Sequence, residues 1–231
     1  MKMSLLLLHG ALGSSRQFET LQQLLSQTFN LHSFDFEGHG DGVRSERPYR
    51  IEFFAENVMN YLHDNSMEQV NIVGYSMGGY VALYCAKHYP HLIKSVLTLG
   101  TKFYWTADYA RREVKKLQPS LIEEKVPAFA MELQKRHRNH DWKNVLQKTS
   151  EMMVSLGDTP VLTQDDVAEI SSRLSFGIAE KDTTVSIEET ERLARINPVS
   201  EMFVLPASYH ALEKIRTNLL ANVISDFHLR S

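Results

Sequence analysis

The chain has 231 residues, enough for one α/β domain with a sizeable core and room for one insertion. Apolar residues make up 43% and charged residues 23%, the composition of an ordinary globular protein, and a net charge of −3 gives no global pull toward nucleic acid or a membrane surface. The single cysteine, Cys85, excludes an intramolecular disulfide framework and reads as a buried, inert thiol.

Residues 1–8 carry a leucine run too short for a signal peptide, with no small-residue cleavage site before His9-Gly10. They read as a buried strand over 3–8. No stretch approaches transmembrane length, so a cytoplasmic location is expected. His9-Gly10-Ala11-Leu12-Gly13 is then a small-residue loop, and Ser14 or Ser15 caps a helix through Phe18, Leu21, Leu24 and Leu25. A second strand is expected over 30–36, a glycine-rich loop over 37–42, and a helix over about 51–64. A third strand leads to Ser76 and a helix ending at Pro90, and a fourth strand spans 93–99. From about 102 to 165 only helical pieces are expected: 106–118, one from Pro127, and one from Asp141 that ends before Gly157. The strand–helix rhythm then returns, with a short helix near 165–171, strands over 174–178 and 202–205, and helices over 186–196 and 211–227. Such alternation implies a mostly parallel sheet with helices on both faces, whose chemistry gathers at the carboxyl ends of the strands.

The most informative stretch is Gly74-Tyr75-Ser76-Met77-Gly78, a G-x-S-x-G pattern. Alone it is weak. Here apolar β-branched residues precede it (Val70, Ile72, Val73) and a helical apolar pattern follows (Tyr80, Val81, Leu83, Tyr84), which is the context the pattern requires. A serine at so tight a strand-to-helix turn stands clear of the sheet, and glycines flank it because side chains there would crowd the turn. The Met77 amide, at the helix N-terminus, is one expected oxyanion donor. The loop after the first strand supplies the second, from Ala11 or alternatively Leu12.

A serine hydroxyl needs a base, and the base an orienting carboxylate. The loops after the last two strands carry Asp182 and His210, so the expected triad is Ser76, Asp182 and His210. Glu180 is the nearest alternative acid, with Asp158, Asp165 and Asp166 behind it. His9 reads as structural, and His88, His91, His137 and His140 read as solvated.

With these residues in place the sequence resembles the α/β-hydrolase superfamily, closest to small lidded esterases, lactonases and carbon–carbon-bond hydrolases. The marks are His9-Gly10-Ala11-Leu12-Gly13, Asp35-Phe36-Glu37-Gly38-His39-Gly40, Gly74-Tyr75-Ser76-Met77-Gly78-Gly79, Asp182-Thr183-Thr184-Val185 and His210. The resemblance implies a three-layer sandwich with core residues 1–101 and 166–231 and a helical cap over 102–165. It implies about six strands, since the family's frequent N-terminal hairpin is not seen before the first strand. Ser76 argues against the relatives with an aspartate nucleophile. Ala179 and Tyr209 stand where the family often has glycine, and Tyr209 is expected to narrow the pocket.

Residues 102–150 hold eleven Lys/Arg against six Asp/Glu, a net +5 that leaves −8 for the rest of the chain. One reading is a cap that attracts an anionic small-molecule substrate. The other is that Arg111, Arg112, Lys115, Lys116, Lys135, Arg136 and Arg138 are solvated helix faces. Phe103, Tyr104 and Trp105 are either pocket lining or the cap's own core, and Leu12, Tyr75, Phe103, Trp105 and Tyr209 are the candidate pocket residues. No metal-ligand cluster, phosphate loop or dinucleotide fingerprint is present, so no cofactor is expected. The expected activity is hydrolysis of a small ester, thioester or lactone. A carbon–carbon hydrolase or lyase on the same triad, or a non-catalytic ligand-binding homologue, are the alternatives. Oligomeric state has no signal in the sequence.

Overall fold

Leu5, Leu6, Leu7 and Leu8 are all fully buried, and they divide by parity. Leu5 and Leu7 pack with Phe18, Leu21 and Leu25 on one face of a sheet, and with Leu220, Ile224 and Phe227. Leu6 and Leu8 pack on the other face with Phe54, Val58, Tyr80 and Val81. A strand covered on both faces needs such an unbroken apolar run, because successive side chains point to opposite sides.

The computed structural model describes residues 2–230. Six strands, β1 (Met3–Leu8), β2 (Phe29–Ser33), β3 (Val70–Tyr75), β4 (Ile93–Leu99), β5 (Arg173–Lys181) and β6 (Glu201–Tyr209), form one sheet in the order β2-β1-β3-β4-β5-β6. Every neighbouring pair is parallel. Helices α1 (Glu19–Leu25) and α10 (Thr217–Leu229) cover one face, and α2 (Ile51–Asp64) and α3 (Met77–His88) the other. Between β4 and β5 lie α4 (Ala107–Lys116), α5 (Pro119–Lys125), α6 (Pro127–Arg136), α7 (Trp142–Asp158) and α8 (Gln164–Ala168), and α9 (Ile187–Ala194) joins β5 to β6. Ile122, Leu133 and Leu146 of the inserted helices are buried in the same apolar cluster as α2 and α3. No described helix is long and apolar enough to cross a membrane.

Two features of the topology position a site. The chain leaves β1 for β2 on one side and returns to β3 on the other, so a crevice opens where Leu8 and Gly74 lie opposite each other. At the far side, Lys181 pairs with Tyr209, which brings the residues just after β5 and β6 side by side.

Several boundaries differ from the sequence reading. β5 and β6 run on to Lys181 and Tyr209, past the apolar segments at 174–178 and 202–205. In those extensions Ala179 and Ser208 are buried while Glu180, Lys181, Pro206, Ala207 and Tyr209 are exposed, so they lack an apolar run, and a register shift separates Ala179 from Lys181. β2 stops at Ser33. Pro119 opens a helix as well as ending one, as its fixed φ allows. α7 continues through Gly157 to Asp158. There the glycine serves helix packing, since a Cβ would lie 2.7 Å from the Ala110 Cβ and 2.9 Å from the Thr106 carbonyl oxygen. A 3-10 turn at Leu212–Lys214 precedes α10, which starts at Thr217 and not at 211.

Candidate active site

Ser76 sits between β3 and α3 at φ +51°, ψ −115°, a backbone conformation that costs a non-glycine residue strain. Its amide donates to the Leu99 carbonyl at 2.8 Å. Its carbonyl accepts from the Gly79 amide at 3.0 Å and from the Thr101 hydroxyl at 3.0 Å. A Cβ on Gly74 would stand 2.5 Å from the Gly78 carbonyl oxygen, so the tight turn depends on small residues. Thr101, just after β4, braces this turn. No sequence signal singled it out.

The ends of β5 and β6 bring Asp182 and His210 together. The His210 imidazole Nδ1–H donates to Asp182 Oδ2 at 2.7 Å. Asp182 Oδ1 accepts from the amides of Thr184 at 2.8 Å and Val185 at 2.9 Å. The carboxylate is 1% exposed and the imidazole 21%. The carboxylate thus fixes one tautomer and leaves Nε2 as the acceptor nitrogen. Tyr75, next to Ser76, donates its hydroxyl to the His210 carbonyl at 2.9 Å, and burial pushes that phenol pKa up. The alternative acid Glu180 is engaged elsewhere, accepting from the Ala207 amide at 2.6 Å.

The loop after β1 closes tightly, with the Gly13 amide donating to the Gly10 carbonyl at 3.0 Å, and Leu12 adopts φ +59°. His9 is buried beneath it. Its Nε2 accepts from the Phe36 amide at 3.1 Å while Nδ1–H donates to the Gly10 carbonyl at 2.8 Å. Desolvation pulls its pKa down to about 4. His137 requires a correction. His88 and His91 are exposed and His140 is half-buried, but His137, read as solvated, is completely buried. Its Nδ1 accepts from the Gly40 amide at 3.0 Å, and its Nε2–H donates to the Leu12 carbonyl at 3.1 Å. Burial lowers its pKa to about 4. Arg136 departs from the solvated-face reading too. Its guanidinium donates to the same Leu12 carbonyl at 2.9 Å and pairs with Glu132 and Glu213. The other six basic residues named for that face are exposed. The end of α6 therefore grips the loop that carries Ala11.

Two cavities meet here. One, about 60 Å³ and mainly apolar, is lined by Ser76, Met77, Ala11, Trp105 and the α7 residues Met152 and Leu156. Lys102 also lines it, but its ammonium pairs with Glu189 and lies 4.2 Å from the Tyr109 ring centre. The other is an open groove of about 570 Å³ lined by His210, Tyr75, Leu12, Tyr209 and again Ala11. The expected pocket residues thus divide: Trp105 faces the first cavity, while Leu12, Tyr75 and Tyr209 face the second. Phe103 faces neither. It is 3% exposed and stacks on Tyr80, with ring centres 5.8 Å apart. The α7 methionines were missed because a Met at helical spacing reads as core.

A family profile described as the alpha/beta hydrolase fold matches residues 4–212. Among curated proteins, ethanol acetyltransferase 1 of Cyberlindnera jadinii is 23% identical over 200 residues, 84% of this chain; the chain spans about half that protein's length (55%). The 2-(acetamidomethylene)succinate hydrolase of Mesorhizobium japonicum is 22% identical over 241 residues, 96% of this chain and 87% of that one. Among solved structures, the enol-lactonase of Burkholderia xenovorans superposes with a TM-score of 0.80 at 17% identity, covering 100% of this chain and 92% of its own, which is a likeness of fold. With nine-tenths of its length matched by the family profile, the chain belongs to the α/β-hydrolase family, and its six-stranded parallel sheet flanked by helices is consistent with that fold.

Proposed function

We propose that the chain is a serine hydrolase acting on small carboxylic esters, thioesters or lactones through an acyl-enzyme on Ser76. The observation that carries this reading is the Asp182–His210 hydrogen bond of 2.7 Å, tied by the Tyr75 hydroxyl, which donates to the His210 carbonyl at 2.9 Å, to the turn that holds Ser76 at φ +51°. In the proposed cycle His210 Nε2 takes the Ser76 proton as Oγ attacks the carbonyl carbon. The buried Asp182 carboxylate stabilises the imidazolium. The amides of Met77 and Ala11 receive the developing oxyanion. Collapse breaks the bond to the leaving group, which takes the proton from His210. Water, activated by the same imidazole, then releases the acid.

Residues 102–165 act as a cap in this proposal, shielding the apolar cavity that receives the acyl group. Its narrowness favours short acyl chains. The relationship to an acetyltransferase favours a second reading, in which an alcohol instead of water takes the acyl group from the same intermediate.

The test is intact-mass spectrometry of enzyme quenched during turnover of 4-nitrophenyl acetate. An acetyl adduct on wild type that is absent from Ser76→Ala supports the reading. Turnover by Ser76→Ala at the wild-type rate contradicts it. Adding ethanol and following ethyl acetate separates transfer from hydrolysis.

A further inference from the structure

We propose that the groove carrying His210 receives a leaving group bearing a carboxylate or phosphate, and that Lys181 and Lys214 are its anion-binding residues. The inference rests on the serine-hydrolase reading and adds the chemistry of one half of the substrate.

The geometry divides the substrate into two parts. When the acyl carbon is bonded to Ser76 Oγ, the bond from that carbon to the leaving oxygen or sulfur breaks. Its electron pair goes to the leaving atom, which takes the proton held by His210 Nε2. The leaving group must therefore stand on the side of Ser76 where His210 stands. His210 lines the open groove of about 570 Å³, whereas Ser76 and Met77 line the narrow apolar cavity. Ala11 belongs to both walls and so lies at their junction. The acyl group fits the apolar side and the leaving group the groove.

The groove's charges then describe that leaving group. Its cationic side chains are Arg136, Lys181 and Lys214, and its carboxylates are Glu132 and Glu213. Both carboxylates pair with Arg136, and Glu213 also accepts from the Gln17 amide nitrogen at 2.6 Å. Among the described residues this leaves Lys181 and Lys214 with no carboxylate at ion-pair distance. Lys181 comes from the end of β5 and Lys214 from the 3-10 turn after His210. Their ammonium groups lie 5.5 and 5.8 Å from the centre of one ring, that of Tyr209. The ring is 44% exposed and holds the two cations beside the groove. Both ammonium groups line the same groove without a carboxylate partner, so an anionic leaving group there gains charge pairing that no side chain already supplies. Of the basic residues between β4 and β5 only Arg136 lines the groove, and Lys102, which lines the apolar cavity, pairs with Glu189.

The experiment compares acetyl esters that differ in the leaving group alone: 4-acetoxybenzamide (neutral), 4-acetoxybenzoate (carboxylate) and 4-acetoxyphenyl phosphate. Phenyl hemisuccinate against phenyl butyrate moves the charge to the acyl side. Exposed charge pairs are each worth a few-fold, so kcat/KM for the anionic leaving groups should exceed that for the amide by about 10-fold at low salt and converge on it at high salt. In K181Q/K214Q the anionic-to-neutral ratio should fall to about one. The carboxylate and phosphate arms tell which anion is preferred. The proposal is overturned by equal kcat/KM across the neutral and anionic leaving groups, by a preference that survives in K181Q/K214Q, or by a charge preference confined to the acyl side. Turnover of the neutral ester without charge preference removes this inference alone. Turnover of no ester removes the serine-hydrolase reading with it.

Discussion

The molecule uses histidine in two ways at opposite sides of the loop that carries Ala11. His210 is partly exposed and bonded to a carboxylate. His9, His39 and His137 are buried, with ring centres 5.3 and 5.7 Å apart in sequence along a seam, and their hydrogen bonds go to backbone groups alone. A neutral imidazole has one donor and one acceptor nitrogen, and in His9 and His137 both are used by fixed backbone partners. Protonation would turn the acceptor nitrogen against an N–H, which adds to the desolvation that lowers both pKa values to about 4. His39, wedged between them, is likewise held well below the usual histidine value by its burial. Residue type alone assigns no role. The partner of each ring nitrogen separates a histidine able to exchange a proton from one that serves as a neutral strut.

The sharpest break of the comparison is at the exchanging side. Ser76→Ala and His210→Ala should each lower kcat by about 10⁴-fold or more, and Asp182→Asn by about 10³–10⁴-fold through loss of the tautomer and of imidazolium stabilisation. Steady-state kinetics on 4-nitrophenyl acetate measures these. Unfolding midpoints should move little for His210→Ala, whose ring is partly solvated.

The seam should show the reverse balance. His137→Ala strands the buried Gly40 amide and removes a donor to Leu12, so a stability loss of about 2–4 kcal/mol is expected in denaturant unfolding. The Leu12 carbonyl keeps only Arg136, and the slackened loop should cost kcat more than KM, by roughly 10-fold. A stability loss with no change in kcat would assign the seam to folding alone.

Much of this arrangement was legible beforehand. The four-leucine strand, the β-branched run before Ser76 and the loops at Asp182 and His210 all follow from short-range pattern, because parallel strands buried on both faces and tight turns leave local signatures. His137 left none. It follows a helix rich in Lys and Arg, and its partners, Gly40 and Leu12, lie about a hundred residues away in sequence. The ends of β5 and β6 were hidden for a related reason: edge pairing through backbone groups tolerates polar side chains such as Glu180 and Lys181. The split between two cavities depends on which way each side chain turns, and no spacing rule carries that.

The pH dependence of stability sharpens the contrast at smaller scale. For His9 and His137 the folded pKa of about 4 lies below the unfolded value near 6.5. Between those values the unfolded chain binds protons that the native state does not. Stability therefore falls as pH drops from about 6.5 to 4 and levels off below, by roughly 3 kcal/mol per histidine. Urea unfolding at pH 7, 5.5 and 4 should show that slope, and His137→Gln should flatten it by up to one proton. The smallest effect is expected from Arg136→Met. It removes one of two donors to Leu12 and half-exposed pairs with Glu132 and Glu213, so a loss of about 1 kcal/mol or less and a few-fold lower kcat should result.

The central claim is that Ser76 is a nucleophile activated by the His210–Asp182 pair. Labelling with a fluorophosphonate probe, followed by peptide mapping, tests it without knowledge of the natural substrate. The account predicts one adduct on Ser76 in wild type, none in Ser76→Ala, and a strongly slowed reaction in His210→Ala. An unlabelled wild-type protein, or an adduct on any residue other than Ser76, would contradict it.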